Sequence, residues 1–359
     1  MHRRIRLVLA SLAAVAGLLA APAAALAAEP APQVASTVGH DVSHPQCDGA
    51  GTLILPTGQA FGIVGVNGGI ATISNPCLDS ELAWASASNG TTAQAPVAVY
   101  VNTANPGLEA SWWPAANRTV LGTAVPGAPG TCRHAPGPAC AYVYGYSLAE
   151  QDMRRPAIGL PLGTIWYLDV EEANTWSPST TANRAVLEGM AAAFTDAGAR
   201  TGLYANRSDW NRFIGTVPAA SSLYRLPTWL AGAVTPRGAA ENCTHAPLAG
   251  GRITLSQYLP VASEFDYDVS CAVLPTVPRP SVAGSAKAGA RLSAVVARRS
   301  GVATSFQWRR NGSAVAGATS GHYVLGAADR GAAISVRVVR TRPGYSREIV
   351  TSAARRIAR

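Results

Sequence analysis

The stretch Thr164-Ile165-Trp166-Tyr167-Leu168-Asp169-Val170-Glu171 constrains the fold more than any other part of this chain. Residues 164–170 form a continuous apolar run broken by a single acid, as expected of a strand buried on both faces of a parallel sheet. Residues 38–43, 61–66, 96–101, 202–205, 228–231 and 253–258 are also strand-like. Helical segments fall between them. One starts at Asn75-Pro76 and runs through Leu82 and Trp84. Another covers residues 181–197, with Ala185, Leu187, Met190, Ala193 and Phe194 at helical spacing and Gly198 as its C-cap. Regular alternation of strand and helix predicts the α/β class, specifically a parallel β/α (TIM-like) barrel over residues 36–274, with 253–258 as its last strand. Residues 103–150, rich in Gly, Pro and Ala, read as a long insertion on the barrel rim.

Charge divides the chain. Residues 276–359 carry 15 Lys/Arg against 2 Asp/Glu, a net of +13. Residues 28–275 carry 11 against 18, a net of −7. The proline-rich segment 275–280 reads as a linker. Beyond it, residues 281–359 show short strand-like runs at 290–296, 305–308, 322–325 and 333–339, with Asn311-Gly312 as a turn. This predicts a second, small all-β sandwich. A basic module fused to an acidic body fits an anionic surface as partner, a cell envelope rather than nucleic acid.

The N-terminus has the marks of export. Arg3, Arg4 and Arg6 precede an apolar run from Leu7 to Ala21, and Ala25-Leu26-Ala27 supplies small residues for cleavage. The run is short against the roughly 20 residues of a membrane span, and Pro22 interrupts it. Residues 1–28 therefore read as a signal peptide, leaving a secreted chain without a membrane span. An even set of cysteines agrees: Cys47, Cys77, Cys132, Cys140, Cys243 and Cys271. Spacing does not fix their pairing; joining neighbours in sequence is the simplest solution. There is no CxxC pair, so disulfides are favoured over a metal site. No cofactor is implied.

Asp169 and Glu171 stand at i and i+2, so both emerge on one face of their strand, with Cα atoms roughly 6.6 Å apart. Barrel enzymes draw their sites from the C-terminal ends of strands. Paired carboxylates there suit glycoside cleavage, one protonating the leaving oxygen and the other stabilising or attacking the anomeric carbon. The plainer alternative is that they cap a helix or pair with an arginine. Asp41 closes the first strand, and Asp266 and Asp268 follow residues 253–258 with the same i, i+2 spacing. A calcium site would also gather acids, but these are scattered and no EF-hand loop is present. Trp176, Tyr204 and Trp229, near strand ends, are candidates for stacking on sugar rings, with a place in the barrel core as the favoured alternative for any one of them, and Gln257 and Asn67 complete the candidate substrate contacts. His40 and His44 flank Asp41, yet the chain has no Gly-x-Ser-x-Gly elbow, which argues against a serine hydrolase.

Asp41-Val42-Ser43-His44-Pro45-Gln46 resembles the opening of family-25 glycoside hydrolases, the Chalaropsis-type lysozymes. Leu168-Asp169-Val170-Glu171 resembles their central catalytic strand. Leu203-Tyr204-Ala205-Asn206, Thr228-Trp229-Leu230-Ala231, and Ser256-Gln257-Tyr258 with Asp268 match later strands in the same order. The resemblance implies a β/α barrel that hydrolyses the N-acetylmuramyl to N-acetylglucosamine linkage of peptidoglycan. It makes Glu171 the general acid, Asp169 the stabiliser of positive charge or of the acetamido group, and Asp41 and Asp268 the rest of a carboxylate ring. The second strand departs from the family, reading Val64-Gly65-Val66-Asn67-Gly68-Gly69 where a lysine–alanine–threonine type of string is usual. Residues 276–359 resemble the bacterial immunoglobulin-like repeats of secreted actinobacterial proteins, through Phe306-Gln307-Trp308-Arg309-Arg310-Asn311-Gly312, Ala316-Gly317-Ala318-Thr319 and Gly344-Tyr345. Such modules act as spacers or wall-binding units. The arginine excess fits adhesion to an anionic, phosphate-rich wall polymer, with a merely solvated basic surface as the alternative. The competing reading of the whole chain is a non-catalytic protein that binds peptidoglycan or another cell-wall glycan on a glycosidase-like barrel.

Overall fold

The structure, a computed structural model, describes residues 37–47, 54–108, 113–156, 159–261, 263–273, 278–342 and 345–359. Segment 1–28, expected to be a signal peptide, and residues 275–277 of the expected linker lie outside them. Among the described residues no helix is long and apolar enough to cross a membrane.

Eight strands close into a barrel in sequence order: β1 (Val38–Val42), β2 (Gly62–Gly65), β3 (Val97–Asn102), β4 (Ile165–Asp169), β5 (Arg200–Ala205), β6 (Thr228–Ala233), β7 (Ile253–Tyr258) and β8 (Tyr267–Ser270). Strands β1 to β7 run parallel. This corrects the all-parallel expectation and its choice of last strand: β8 follows β7 and pairs antiparallel with both β7 and β1. The reversal has a chemical effect. Asp268, near the start of β8, is set opposite Gln257 of β7 and Gly39 of β1. An antiparallel strand thus delivers its N-terminal residues to the rim where the others end.

Alternation along β4 explains the partition of its side chains. Trp166 and Leu168 face the helices and join the large outer core, whereas Tyr167 points into the barrel with Phe61, Ile63, Ala98, Tyr204, Trp229 and Leu255. Asp169 and Glu171 continue the Tyr167 face towards the mouth.

The helices are α1 (Leu78–Ser86), α2 (Pro138–Met153), α3 (Thr180–Asp196), α4 (Arg207–Asp209, continuing as one π-helical turn to Ile214) and α5 (Pro236–Asn242). Local chemistry starts several of them. Ser179 caps α3 by accepting from the Ala182 amide. Thr235 does the same for α5 through Gly238, with Pro236 at the first turn where a missing N–H costs nothing. Helix α2 begins inside the 103–150 segment expected to be an insertion and runs three residues past it, so only residues before it remain rim loop. It is buried nearly all round, Tyr142, Tyr144 and Tyr146 included. Its packing on α3 depends on two glycines. A Cβ on Gly145 would lie 2.0 Å from the Val186 carbonyl oxygen, and one on Gly189 would lie 2.0 Å from that of Tyr142.

The cysteines pair as sequence neighbours: Cys47 with Cys77, Cys132 with Cys140, and Cys243 with Cys271. They tie the loop after β1 to the start of α1, brace the start of α2, and join the end of α5 to the end of β8.

Glu81 of α1 is fully buried. Its Oε2 accepts a 2.7 Å hydrogen bond from Asn75 Nδ2, while Oε1 has no protein partner. Burial pushes its carboxyl up to about 7. Because the folded value exceeds the unfolded one, the protonated form stabilises the fold fully below the unfolded value near 4.5, and that contribution is lost as pH rises through about 7. Glu81→Gln is expected to reduce the fall in melting temperature between pH 5 and pH 8; thermal melts across that range test it, and an unchanged fall would refute it.

After the barrel come β9 (Ala272–Val273), β10 (Ser281–Ala283), β11 (Arg291–Val295), β12 (Ala303–Arg310), β13 (Ser313–Ala314), β14 (His322–Val324), β15 (Ala333–Arg342), β16 (Tyr345–Thr351) and β17 (Arg355–Arg356). They form a three-stranded sheet, β10-β11-β14, and a larger sheet, β13-β12-β15-β16-β9, with β17 on β15. Leu292, Trp308, Leu325, Ile334, Val336 and Val338 make a shared core. Asn311 and Gly312, both at positive φ, turn β12 into β13, as the Asn-Gly pair predicts. Strand β9 leaves the barrel directly and pairs in parallel with β16, and the Arg347 amide donates to the Cys243 carbonyl at 3.2 Å.

Candidate active site

The mouth of the barrel gathers five carboxylates: Asp41 from β1, Asp169 and Glu171 from the end of β4, and Asp266 and Asp268 from the approach to β8. Burial raises the proton affinity of all five above the ordinary carboxylate range.

Two are linked directly. Asp41 and Asp268 are both buried and share a hydrogen bond. Asp268 is pushed up to about 8, first by burial and further by Asp266, while the bonds from Asp41 and Trp229 oppose the rise. Asp41 rises through burial and then repulsion from Asp268 and Asp266. Two buried carboxyls this close titrate as a pair, both held above the usual carboxylate range. Trp229 Nε1 donates to Asp268 Oδ1 at 2.7 Å, and Gln257 Nε2 donates to Asp41 Oδ2 at 3.0 Å.

Asp169 and Glu171 form the other group. Asp169 is 3 % exposed, and its Oδ1 has no protein partner. Thr103 fixes the backbone here, its amide and hydroxyl both donating to the Asp169 carbonyl. Burial, then repulsion from Glu171 and Asp209, raises the Asp169 carboxyl well above its usual value. Glu171 sits at the rim, half-buried. Burial raises it, with Asp209 and Asp266 adding to the rise and Tyr204 opposing it. A carboxyl whose proton affinity is raised and which still reaches solvent is suited to give its proton to a bound substrate.

Tyr204 connects the two groups. Its hydroxyl lies 2.8 Å from Gln257 Oε1 and 3.3 Å from Glu171 Oε1. A phenol has one proton, so it serves Gln257 while Glu171 is protonated and is available to Glu171 once that proton leaves. Tyr204→Phe removes the bond that stabilises ionised Glu171. The alkaline limb of the pH–activity profile is expected to move to higher pH while the maximal rate falls. A limb that stays in place would disconnect Tyr204 from Glu171.

The structure redistributes the other expected contacts. Trp229, at 1 % exposure, is part of the barrel interior and tilts against Tyr204 at 4.4 Å, so it offers no stacking face to a sugar. Tyr204 contributes its hydroxyl more than its ring. Gln257 is held between Asp41 and Tyr204. Asn67 is fully buried and satisfied by the protein: Nδ2 donates to the Ala71 carbonyl and to Asp152 Oδ1, and Oδ1 accepts from the Asn102 amide. It shapes the β2–β3 rim and has no polar atom left for substrate. Trp176 is partly exposed, stacks on Phe213 at 5.2 Å and donates to the Glu171 carbonyl at 2.8 Å, fixing the segment that carries the acid.

Sequence reading missed Tyr100 and Asp209. Tyr100 of β3 is partly buried facing Asp41, Asp169 and Glu171, all of which oppose its ionisation in addition to desolvation. Asp209 is held by Asn206 in a reciprocal cap, Asn206 Nδ2 donating to Asp209 Oδ2 at 2.8 Å and the Asp209 amide to Asn206 Oδ1 at 2.9 Å. The Asn-x-x-Asp spacing signals a helix start, and only the fold turns that start towards Glu171. Among the described residues no group of three His, Cys, Asp or Glu is arranged to hold a metal ion.

The protein family described as lysozyme-like protein 1 matches residues 156–242, the stretch that contains Asp169, Glu171, Tyr204 and Trp229. No curated protein matches the chain significantly. Among solved structures, the wild-type modular Cpl-1 endolysin complexed with a peptidoglycan analogue matches at 16% identity and a TM-score of 0.38, covering 69% of this chain and 58% of that one. A family 25 glycosyl hydrolase from Bacillus anthracis matches at 14% identity and a TM-score of 0.37, covering 69% of this chain and 94% of that one. An uncharacterized B. stearothermophilus protein matches at 15% identity and a TM-score of 0.38, over 66% and 96%. The chain thus spans 58% of the length of the endolysin it matches. Over residues 156–242 the chain is similar to the lysozyme-like protein 1 family.

Proposed function

We propose that the barrel is a secreted glycoside hydrolase of the lysozyme type, cutting the N-acetylmuramyl to N-acetylglucosamine linkage of peptidoglycan. The observation that carries this reading is the half-buried Glu171 carboxyl at the rim, held by Tyr204 beside the deeper Asp169. Glu171 protonates the glycosidic oxygen as the bond breaks. Asp169 stabilises the positive charge that develops at the anomeric carbon, or orients the acetamido group. The Asp41–Asp268 pair, tied to Glu171 through Gln257 and Tyr204, keeps a proton inside the site and fixes its floor. The lysozyme-like match over residues 156–242 supports the same assignment, and three disulfides fit an exported protein. In this reading residues 1–28 are the signal peptide, 36–274 the catalytic barrel, 275–280 the linker, and 281–359 an immunoglobulin-like module that holds the enzyme at the wall.

The test is release of reducing ends from purified peptidoglycan by the full-length protein. New ends carried by muramic acid support the reading. Ends carried by N-acetylglucosamine would assign a different bond. Binding to several wall types without any release would favour the non-catalytic alternative.

A further inference from the structure

Between the two C-terminal sheets lies a groove of about 820 Å3. Val296, Val302 and Phe306 line it with apolar surface, and Arg298, Arg299 and His322 stand exposed along it. His322 is placed there by β14, where it pairs with Ser293 of β11, and both arginines come from the loop between β11 and β12. The charge of the segment has no internal balance. Its two acids are each engaged elsewhere: Asp329 with Arg310 at 2.6 Å, and Glu348 with Arg340 at 2.8 Å. Both carboxylates of the segment are thus committed outside the groove.

We infer that this groove is a binding site for a linear polyanion of phosphodiester-linked polyol or sugar units. Guanidinium groups meet phosphates in a two-pronged geometry that suits them better than a point charge. The apolar strip beside them accepts the C–H faces of the units between phosphates. A purely electrostatic surface would need no such strip, and a sugar polymer without phosphate would make no use of the positive charge along the groove. The site is separate from the barrel mouth and does not depend on catalysis there.

The test uses the full-length chain carrying Glu171→Gln, so that a wall is not digested while binding is measured, whatever the barrel does. Sedimentation with purified Gram-positive walls is compared before and after hydrofluoric acid removes their phosphate polymers. Arg298→Glu with Arg299→Glu is expected to weaken binding to intact walls by about tenfold or more. Val295→Glu, an exposed position on the groove edge, should act in the same direction if the double variant fails to fold. Arg330→Glu with Arg359→Glu makes the same change of net charge outside the groove, past the Arg310 end of β12 where the groove occupies the Thr304–Phe306 end, and should lie within about twofold of the parent. Stripped walls should bind the parent about as weakly as intact walls bind the groove variant. Equal losses in groove and control variants would reduce the effect to diffuse charge and overturn the site. So would undiminished binding to stripped walls, or tighter binding to anionic phospholipid vesicles than to intact walls.

Discussion

Glu171→Gln is expected to lower the release of reducing ends from peptidoglycan by about 10³-fold, within the range that general acid catalysis supplies. The substitution keeps shape and hydrogen-bonding capacity but removes the proton that Glu171 would give to a bound glycosidic oxygen. Folding should be unaffected, because Glu171 is half-exposed and its replacement still meets Tyr204. The parent's pH profile carries the same information. The Glu171 carboxyl is raised by burial, with Asp209 and Asp266 adding to the rise, so activity should persist above the ordinary carboxylate range and fall on the alkaline side as the proton leaves. A variant that kept more than about a tenth of parental activity would move the acid role elsewhere.

Gly145→Ala is expected to cost at least about 3 kcal/mol, at the upper end of overpacking penalties, because the obstacle is backbone and not a mobile side chain. The added carbon would sit 2.0 Å from the Val186 carbonyl oxygen. Relief requires α2 and α3 to part by roughly 1 Å or more in an interior packed like a crystal. Gly189→Ala should behave alike, since its own added carbon would meet Tyr142 at the same distance. Helix α3 also carries Asn183, which holds the backbone of Ser177 and Phe213 beneath Trp176. Displacing it therefore reaches the segment that presents Glu171. Against a total stability of about 5–15 kcal/mol, either change should lower the melting temperature by roughly 6 °C or more. A melting temperature within about 2 °C of the parent would mean that the helices have room to spare.

Much of the barrel was legible because parallel strands buried on both faces write themselves as unbroken apolar runs, as at β4. Strand β8 writes nothing of the kind: Tyr267-Asp268-Val269-Ser270 is short and half polar, and its place is decided by pairing with β1 and β7. Helix α2 escaped notice for the opposite reason. Apolar residues surround it, so no single stripe marks it as helical, and the Gly/Pro-rich loop before it sets the tone of the whole segment. In the site, the i, i+2 rule was enough to bring Asp169 and Glu171 together. It could not say what a residue at a strand end would touch. Trp229 and Asn67 were expected to face a ligand and instead face Asp268 and Asp152, partners 39 and 85 residues away. Tyr100 and Asp209 act through proximity alone, and proximity across a barrel is not a sequence property.

The junction between barrel and C-terminal sheets fixes how the molecule can work along a polymer. Strand β9 belongs to the larger C-terminal sheet although it begins one residue after Cys271, which is itself bonded to Cys243 in the barrel. The catalytic mouth is therefore carried on a short, stitched arm and not on a leash. Under the proposed function, with the sheets holding the wall, the mouth would visit only a narrow circle of bonds and would have to release its hold before cutting farther along. The distribution of fragment lengths should then record the spacing of grip points more than the preferences of the cleft.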